Sequence, residues 1–152
     1  MGGFMAVQGA AADPAILAFG LISAADMGAN VPQPLAAERE PALRKSLSAS
    51  YAAEAMAPLA GCTPEGLARK TIAHAPEWSF LSKTSALKAR PALIVTSDDG
   101  LTPVNTAFGA ALRKAGNQRV TELHLPTDHA YSDQRTALSV AVLSWLAALP
   151  SQ

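Results

Sequence analysis

At 152 residues and 15.6 kDa the chain is about one domain long. Its 49% hydrophobic and 16% charged content excludes a disordered chain, which pairs low hydrophobicity with high net charge. Twelve Lys and Arg balance twelve Asp and Glu, so the field that draws proteins to nucleic-acid phosphates or anionic lipid is missing, and a neutral or small substrate fits better. The 33 alanines raise helix propensity without pointing to any mechanism.

Residues 4–12 lack Pro and are rich in Ala, Met and Val, which suits a short, mostly buried helix ended by Asp13-Pro14. Residues 16–24 form a near-continuous apolar run followed by Asp26 and Gly28, the pattern of a strand buried on both faces of a parallel sheet. The longest apolar stretch, residues 15–25, falls short of the roughly 20 residues that span a bilayer. No Lys or Arg precedes Arg39, so the basic flank of a signal peptide is missing. A cytoplasmic protein is expected, with no membrane and no nucleic-acid partner.

Residues 29–88 hold helical patterns and no convincing strand, and read as a helical cap inserted into one domain rather than a domain of its own. Within them, residues 35–59 mix Glu38, Arg39, Glu40, Arg44, Lys45 and Glu54 with apolar residues, and residues 64–73 predict a shorter helix entered at Thr63, with Pro64 in its first turn. The lone Cys62 excludes an internal disulfide and a paired-cysteine zinc site. It is expected as a small apolar filler in a Gly-Cys-Thr-Pro turn.

A second strand is predicted over residues 92–96, after Pro91 and before Ser97-Asp98-Asp99-Gly100, and a third over residues 120–125, closed by Pro126. Between them residues 105–115 carry helical spacing at Phe108, Ala111, Leu112 and Ala115 and end at Gly116-Asn117. Residues 134–149 place Leu138, Val142, Trp145, Leu146 and Leu149 on one stripe, a terminal amphipathic helix that packs back on the sheet. The alternation is that of an α/β fold.

Ligands of parallel α/β sheets bind outside the carboxyl ends of the strands. The second strand runs into Asp98-Asp99 and the third into Thr127-Asp128-His129, so an acid and a histidine project from one edge, within reach of each other on neighbouring strands. This is the acid-then-histidine order that closes a Ser, Asp, His triad, in which the histidine takes a proton from a serine and the carboxylate orients the ring. Ser23, Ser50, Ser97 and Ser132 are not nucleophile candidates, because none lies in a G-x-S-x-G turn. His124, inside a strand, and His74, in the insertion, are expected to be packed or solvent-facing. A metal site from His124, Asp128 and His129 is disfavoured, because strand geometry points residues 124 and 129 to different places. Trp78 and Trp145 read as packing residues.

Three segments carry a resemblance: Met1-Gly2-Gly3-Phe4; Pro91 through Pro103, containing Ser97-Asp98-Asp99-Gly100; and Leu123 through His129 with the tail Ser132-Asp133-Gln134-Arg135. Together they resemble the α/β-hydrolase superfamily, in the branch that includes dienelactone-hydrolase-like and prolyl-oligopeptidase-like serine hydrolases. The nucleophile elbow of that family commonly reads Gly-His-Ser-Met-Gly-Gly, so Met1 matches the residue just after the serine. The resemblance spans the whole chain and implies a single partial domain, residues 1–152, the carboxyl-terminal part of an α/β-hydrolase fold. Its parallel strands would lie near 16–24, 91–97 and 120–126, with flanking helices and the cap at about 29–88.

By the same resemblance Asp99, four residues before Pro103, is the catalytic acid, with Asp98 as the alternative, and His129 is the catalytic histidine. Asp128 shapes the turn. The backbone N–H of Met1 is one oxyanion donor when a serine precedes it. The strands before the elbow, the other oxyanion donor and the serine itself are not in this sequence. The implied function is ester or amide hydrolysis by a Ser-His-Asp triad to which this chain supplies the Asp and His but not the Ser, so that the chain alone is inactive. The substrate would be a small-molecule ester or a peptide, and no metal or organic cofactor is implied. The alternative is a non-catalytic binding or regulatory relic of the fold. A flavodoxin-like binding domain ranks last, since no phosphate-cradling loop follows the first strand. The strand at 16–24 would lack a neighbour on one side and shows no protective Lys or Pro, so self-association through an unpaired sheet edge is expected.

Overall fold

The elements run α1 (Gly2–Ala12), β1 (Phe19–Ile22), α2 (Glu40–Ala53), α3 (Pro64–Trp78), α4 (Thr84–Leu87), β2 (Ala92–Thr96), α5 (Thr102–Lys114), β3 (Val120–His124) and α6 (Arg135–Ala147), in a computed structural model that describes residues 2–53 and 61–149. Short 3-10 turns lie at Gly28–Asn30, Ala37–Arg39 and Phe80–Lys83. Met1, the expected oxyanion donor, and residues 54–59 of the expected helix over 35–59 lie outside the described residues. The chain divides into two units, Met1–Asp26 with Phe80–Gln152, and Met27–Ser79.

In the first unit the three strands are parallel in the order β1-β2-β3, with Phe19 opposite Ala92, Ala92 opposite Val120 and Thr96 opposite His124. β2 is central and its five residues are all buried, as a short Val/Ile/Leu-rich run predicts. On one face a row of rings from α1, β1, the 3-10 turn and α5 forms the core: Phe4–Phe80, Phe80–Phe108 and Phe108–Phe19 centroids are 6.4, 5.5 and 6.3 Å apart. Full burial of one such ring is worth about 1.5–3 kcal/mol. That outweighs a half-exposed ion pair such as Arg113–Glu122, for which under about 1 kcal/mol is typical. On the other face Leu138, Val142 and Trp145 of α6 cover Leu93, Val95, Leu125 and Tyr131.

Local chemistry explains the connections. Asp13 ends α1 by accepting the Ala15 N–H at 2.8 Å, and the Arg90 guanidinium donates to the carbonyls of Ala10 and Asp13, placing a cation at that helix's carboxyl end. Gly116, at φ +97°, ends α5, and the buried Asn117 amide donates to the Leu87 and Arg90 carbonyls. Asp26, 5% exposed, accepts the Phe80 N–H at 2.9 Å, where the chain leaves this unit and returns to it.

Several expectations are corrected. The strand expected over 16–24 and buried on both faces is four residues long and covered on one: Phe19 and Leu21 are buried, Gly20 and Ile22 exposed. Gly20 and Ile22 register with Leu93 and Val95, so they lie on the α6 face, and α6 covers the neighbouring strand rather than β1. The α6 stripe is divided, because Leu146 is 49% exposed, and Val140 and Leu143 are exposed too. The buried face of α5 runs Asn105, Phe108, Gly109, Leu112 rather than through Ala111 and Ala115. Residues 80–88, expected in the insertion, belong to the sheet unit, where Phe80 and Leu87 are fully buried.

The second unit is a helical pair. Leu47 and Tyr51 of α2 pack with Ala68 and Ala75 of α3 around Val31, and the Tyr51 hydroxyl lies 3.0 Å from Thr71 Oγ1. Thr63 caps α3 as expected by accepting the Gly66 N–H at 3.0 Å, a bond worth about 1 kcal/mol. The helix predicted over 64–73 continues to Trp78 with Pro76 inside its last turns. Cys62 is exposed, so it is not an apolar filler. Among the described residues no helix is long and apolar enough to cross a membrane.

Candidate active site

The site lies at the carboxyl ends of β2 and β3, where parallel pairing carries two loops side by side. The loops are tied to each other: Leu125 N–H donates to the Thr96 carbonyl and Asp98 N–H to the Thr127 carbonyl, each at 2.9 Å. After β2 the chain turns through Ser97-Asp98-Asp99-Gly100. Asp99 Oδ1 accepts the Leu101 N–H at 2.9 Å, and Gly100 takes φ +84°, a conformation glycine adopts without steric cost. The Thr102 hydroxyl donates to the Ser97 carbonyl at 2.8 Å, anchoring the start of α5 beneath the turn.

After β3 the loop is shaped by Asp128, as expected: its carbonyl accepts the Tyr131 N–H and its Oδ1 the Ser132 N–H, both at 3.0 Å. The Ser132 N–H holds the Asp128 carboxyl below its ordinary value. Thr127 and Asp133 are hydrogen-bonded across the same loop.

These two turns bring the expected acid and histidine together. His129 Nδ1 donates to Asp99 Oδ2 at 2.7 Å. The Asp99 side chain is 6% exposed and that of His129 67%, so the carboxylate is held beneath a ring that faces solvent. Burial pushes the Asp99 carboxyl up, but the hydrogen bonds from His129 and the Leu101 N–H, helped by the nearby Ser23 and Ser97 hydroxyls, outweigh it and leave the group below its ordinary value. An ionised Asp99 can only accept, which puts the proton of a neutral His129 on Nδ1 and leaves Nε2 as the basic nitrogen.

Asp98, the alternative acid, is directed elsewhere. Its Oδ1 lies 3.2 Å from His124 Nε2, and Thr96 Oγ1 lies 3.0 Å from His124 Nδ1. This second acid–histidine pair was missed by sequence reasoning, which expected His124, inside a strand, to be packed or solvent-facing. The signal was present, since Thr96 and His124 end neighbouring strands and Asp98 follows Thr96 by two residues. Among the described residues no three His, Cys, Asp or Glu side chains gather as metal ligands do; His124 turns to Asp98 and His129 to Asp99.

Three buried hydroxyls were also missed. Ser23 Oγ lies 2.8 Å from both Ser97 Oγ and the Tyr131 hydroxyl, and the three residues follow β1, β2 and β3 respectively. His74 is stacked on Trp78 in the second unit, with centroids 5.1 Å apart, and pairs with Glu77.

No protein-family model, no curated protein and no solved structure matches this chain.

Proposed function

We propose that this chain supplies the acid and the base of a Ser-His-Asp triad that hydrolyses an ester or amide bond, the serine lying outside residues 1–152. The observation that carries the reading is the 2.7 Å bond from an exposed His129 ring to a buried Asp99 carboxylate. In the reaction, His129 Nε2 takes the serine proton as the hydroxyl attacks the carbonyl carbon, and Asp99 stabilises the imidazolium that forms. The imidazolium then gives that proton to the leaving alcohol or amine. Water repeats the cycle: His129 takes its proton, the hydroxide adds to the acyl group, and the proton returns to the serine as the acid departs. A peptide bond to Met1 would provide one N–H for the oxyanion, which a free terminal amine does less well.

The substrate class in this reading is a small ester or a peptide, and the setting cytoplasmic. The same reading puts a partner strand on the outer edge of β1, supplied by the strand that bears the serine or, in its absence, by a second copy of the chain.

The test begins with the coding sequence directly before the Met1 codon. An in-frame Gly-x-Ser there is expected, and the protein read from the extended frame should turn over a p-nitrophenyl ester and take up a fluorophosphonate label on that serine. His129→Ala should lower its turnover by at least about a thousandfold. Unchanged turnover in that variant overturns the assignment.

A further inference from the structure

Asn105 stands on the buried face of α5 beside Phe108, Gly109 and Leu112, and it is 0% exposed. Its Nδ2 donates to the Ala24 carbonyl and to the Leu101 carbonyl, each at 2.8 Å. Both partners can only accept, so the nitrogen is the atom that faces them, and both of its protons are used. Oδ1 is left without a partner among the described residues. A buried acceptor without a donor costs stability, and an apolar side chain in this row would avoid that cost. What the amide contributes is therefore the pair of bonds from Nδ2.

Those bonds join two loops that are far apart in sequence. Ala24 follows β1, 81 residues before Asn105, and lies against the first turn of α1, where a Cβ at Gly3 would overlap that of Ala24. Leu101 ends the acid turn. Its N–H is the donor to Asp99 Oδ1 at 2.9 Å, and its carbonyl takes the Asn105 side chain and, at 3.3 Å, the Asn105 backbone N–H. Gly100, between Asp99 and Leu101 at φ +84°, has no side chain with which to hold the turn. The Thr102 hydroxyl ties this turn to Ser97 on its own side, and the Asn105 amide ties it across to the loop after β1.

We infer that Asn105 is a positioning residue, whose amide clamps the Leu101 carbonyl to the loop after β1 and so keeps the Leu101 N–H on Asp99 Oδ1 while Oδ2 faces His129. The clamp rests on the proposed acid role of Asp99 for its meaning. In that reading the serine directly precedes α1, so Asn105 sets the acid's turn against the same loop on which the first turn of α1 rests. The clamp itself is tested without turnover.

The experiment is amide hydrogen exchange, read residue by residue by NMR in the whole chain and its variants. In Asn105→Ala the Leu101 amide should exchange about tenfold faster, the worth of one hydrogen bond, over and above any change at Ile94. Ile94, fully buried in the central strand, reports opening of the whole unit. Leu112→Val trims a fully buried side chain on the same face of α5 and should do the opposite, speeding Ile94 more than Leu101. Equal acceleration of Leu101 and Ile94 in Asn105→Ala, no acceleration of Leu101, or the same response of Leu101 to both variants overturns the inference. Where Asn105→Ala does not fold, Asn105→Ser, which keeps one donor, is read by the same comparison. Failure of both to fold also overturns it, because the amide would then serve the chain as a whole rather than the turn. In the natural chain the two Nδ2 protons should exchange slowly, and rapid exchange there removes the clamp. An ester-hydrolysis test that fails while Leu101 alone speeds up would discard the proposed reaction and keep the clamp.

Discussion

Asp98 and Asp99 are adjacent in the chain and face different histidines, Asp98 Oδ1 at 3.2 Å from His124 Nε2 and Asp99 Oδ2 at 2.7 Å from His129 Nδ1. Their surroundings differ as much as their partners, with 65% of the Asp98 side chain exposed against 6% for Asp99. Neutral His129 holds its proton on Nδ1, bonded to Asp99, and Asp98 lies away from that bond beside His124. In the extended-frame protein Asp99→Asn should lower kcat by about ten-thousandfold, because the amide favours the wrong tautomer of His129. Asp98→Asn should stay within about tenfold, since a surface pair does little for a neighbouring site. Equal losses in kcat would remove the distinction between the two acids.

Asp99 also gives the acid limb of stability a sign. Burial raises its carboxyl and the hydrogen bonds from His129 and Leu101, helped by the nearby Ser23 and Ser97 hydroxyls, lower it by more, so the folded pKa lies below the unfolded value. Stabilisation from a depressed carboxyl is fully present above the unfolded value, about 3.9, and is lost as the pH falls through the folded one. Asp128 contributes in the same direction through the Ser132 N–H. Thermal midpoints from pH 6 to pH 2 should fall more steeply for the natural chain than for Asp99→Asn; parallel curves would contradict the stated cause.

In the second unit Gly28 lies against the carboxyl end of α3, where a Cβ would overlap the Ala75 carbonyl oxygen and the Ser79 nitrogen. Both are backbone atoms, joined by the bond that closes the helix, so neither can swing aside. Gly28→Ala should cost about 2 kcal/mol or more, at the upper end of overpacking effects. Urea unfolding followed at residues of that unit measures it. A loss under about 0.5 kcal/mol would show that the turn relaxes.

The outer edge of β1 yields a prediction about association. Phe19 and Ser23 donate their N–H groups to the Pro91 and Val95 carbonyls of the β2 side, so the alternating residues Gly20 and Ile22 present theirs outward. Ile22, 42% exposed, and Leu17, 54% exposed, add apolar surface beside that edge. Light scattering should show concentration-dependent oligomers, and Ile22→Lys should shift them toward monomer, as an edge lysine does in natural sheets. A natural chain that is already monomeric at high concentration would count against edge pairing.

The order of elements and the placement of acid and histidine at strand ends were legible in the residues themselves. They follow from local rules: β2 is a short Ala-Leu-Ile-Val-Thr run, Thr63-Pro64 opens α3, and Gly116 closes α5. These signals lie within a few residues of the structure they produce, which is why periodicity and capping find them. Coverage was not legible in the same way, because Ile22 and Leu146 look like any core residue until α6 is seen to lie over β2 and not β1.

Only the tertiary structure showed the Asp99 carboxylate turned to His129, Asp98 turned to His124, and the hydroxyls of Ser23, Ser97 and Tyr131 brought together. A side chain's direction after a turn depends on the φ and ψ of residues such as Gly100 and Tyr131, at +84° and +54°, and Tyr131 is bonded to Ser23, 108 residues away in sequence. Asp98 and Asp99 are the same residue type one position apart, so the residues alone do not separate them, and only the resemblance, through the spacing to Pro103, favoured Asp99. Parallel pairing of β1, β2 and β3 brings Ser23, Ser97 and Tyr131 to one point, and that convergence belongs to the sheet rather than to any stretch of the chain.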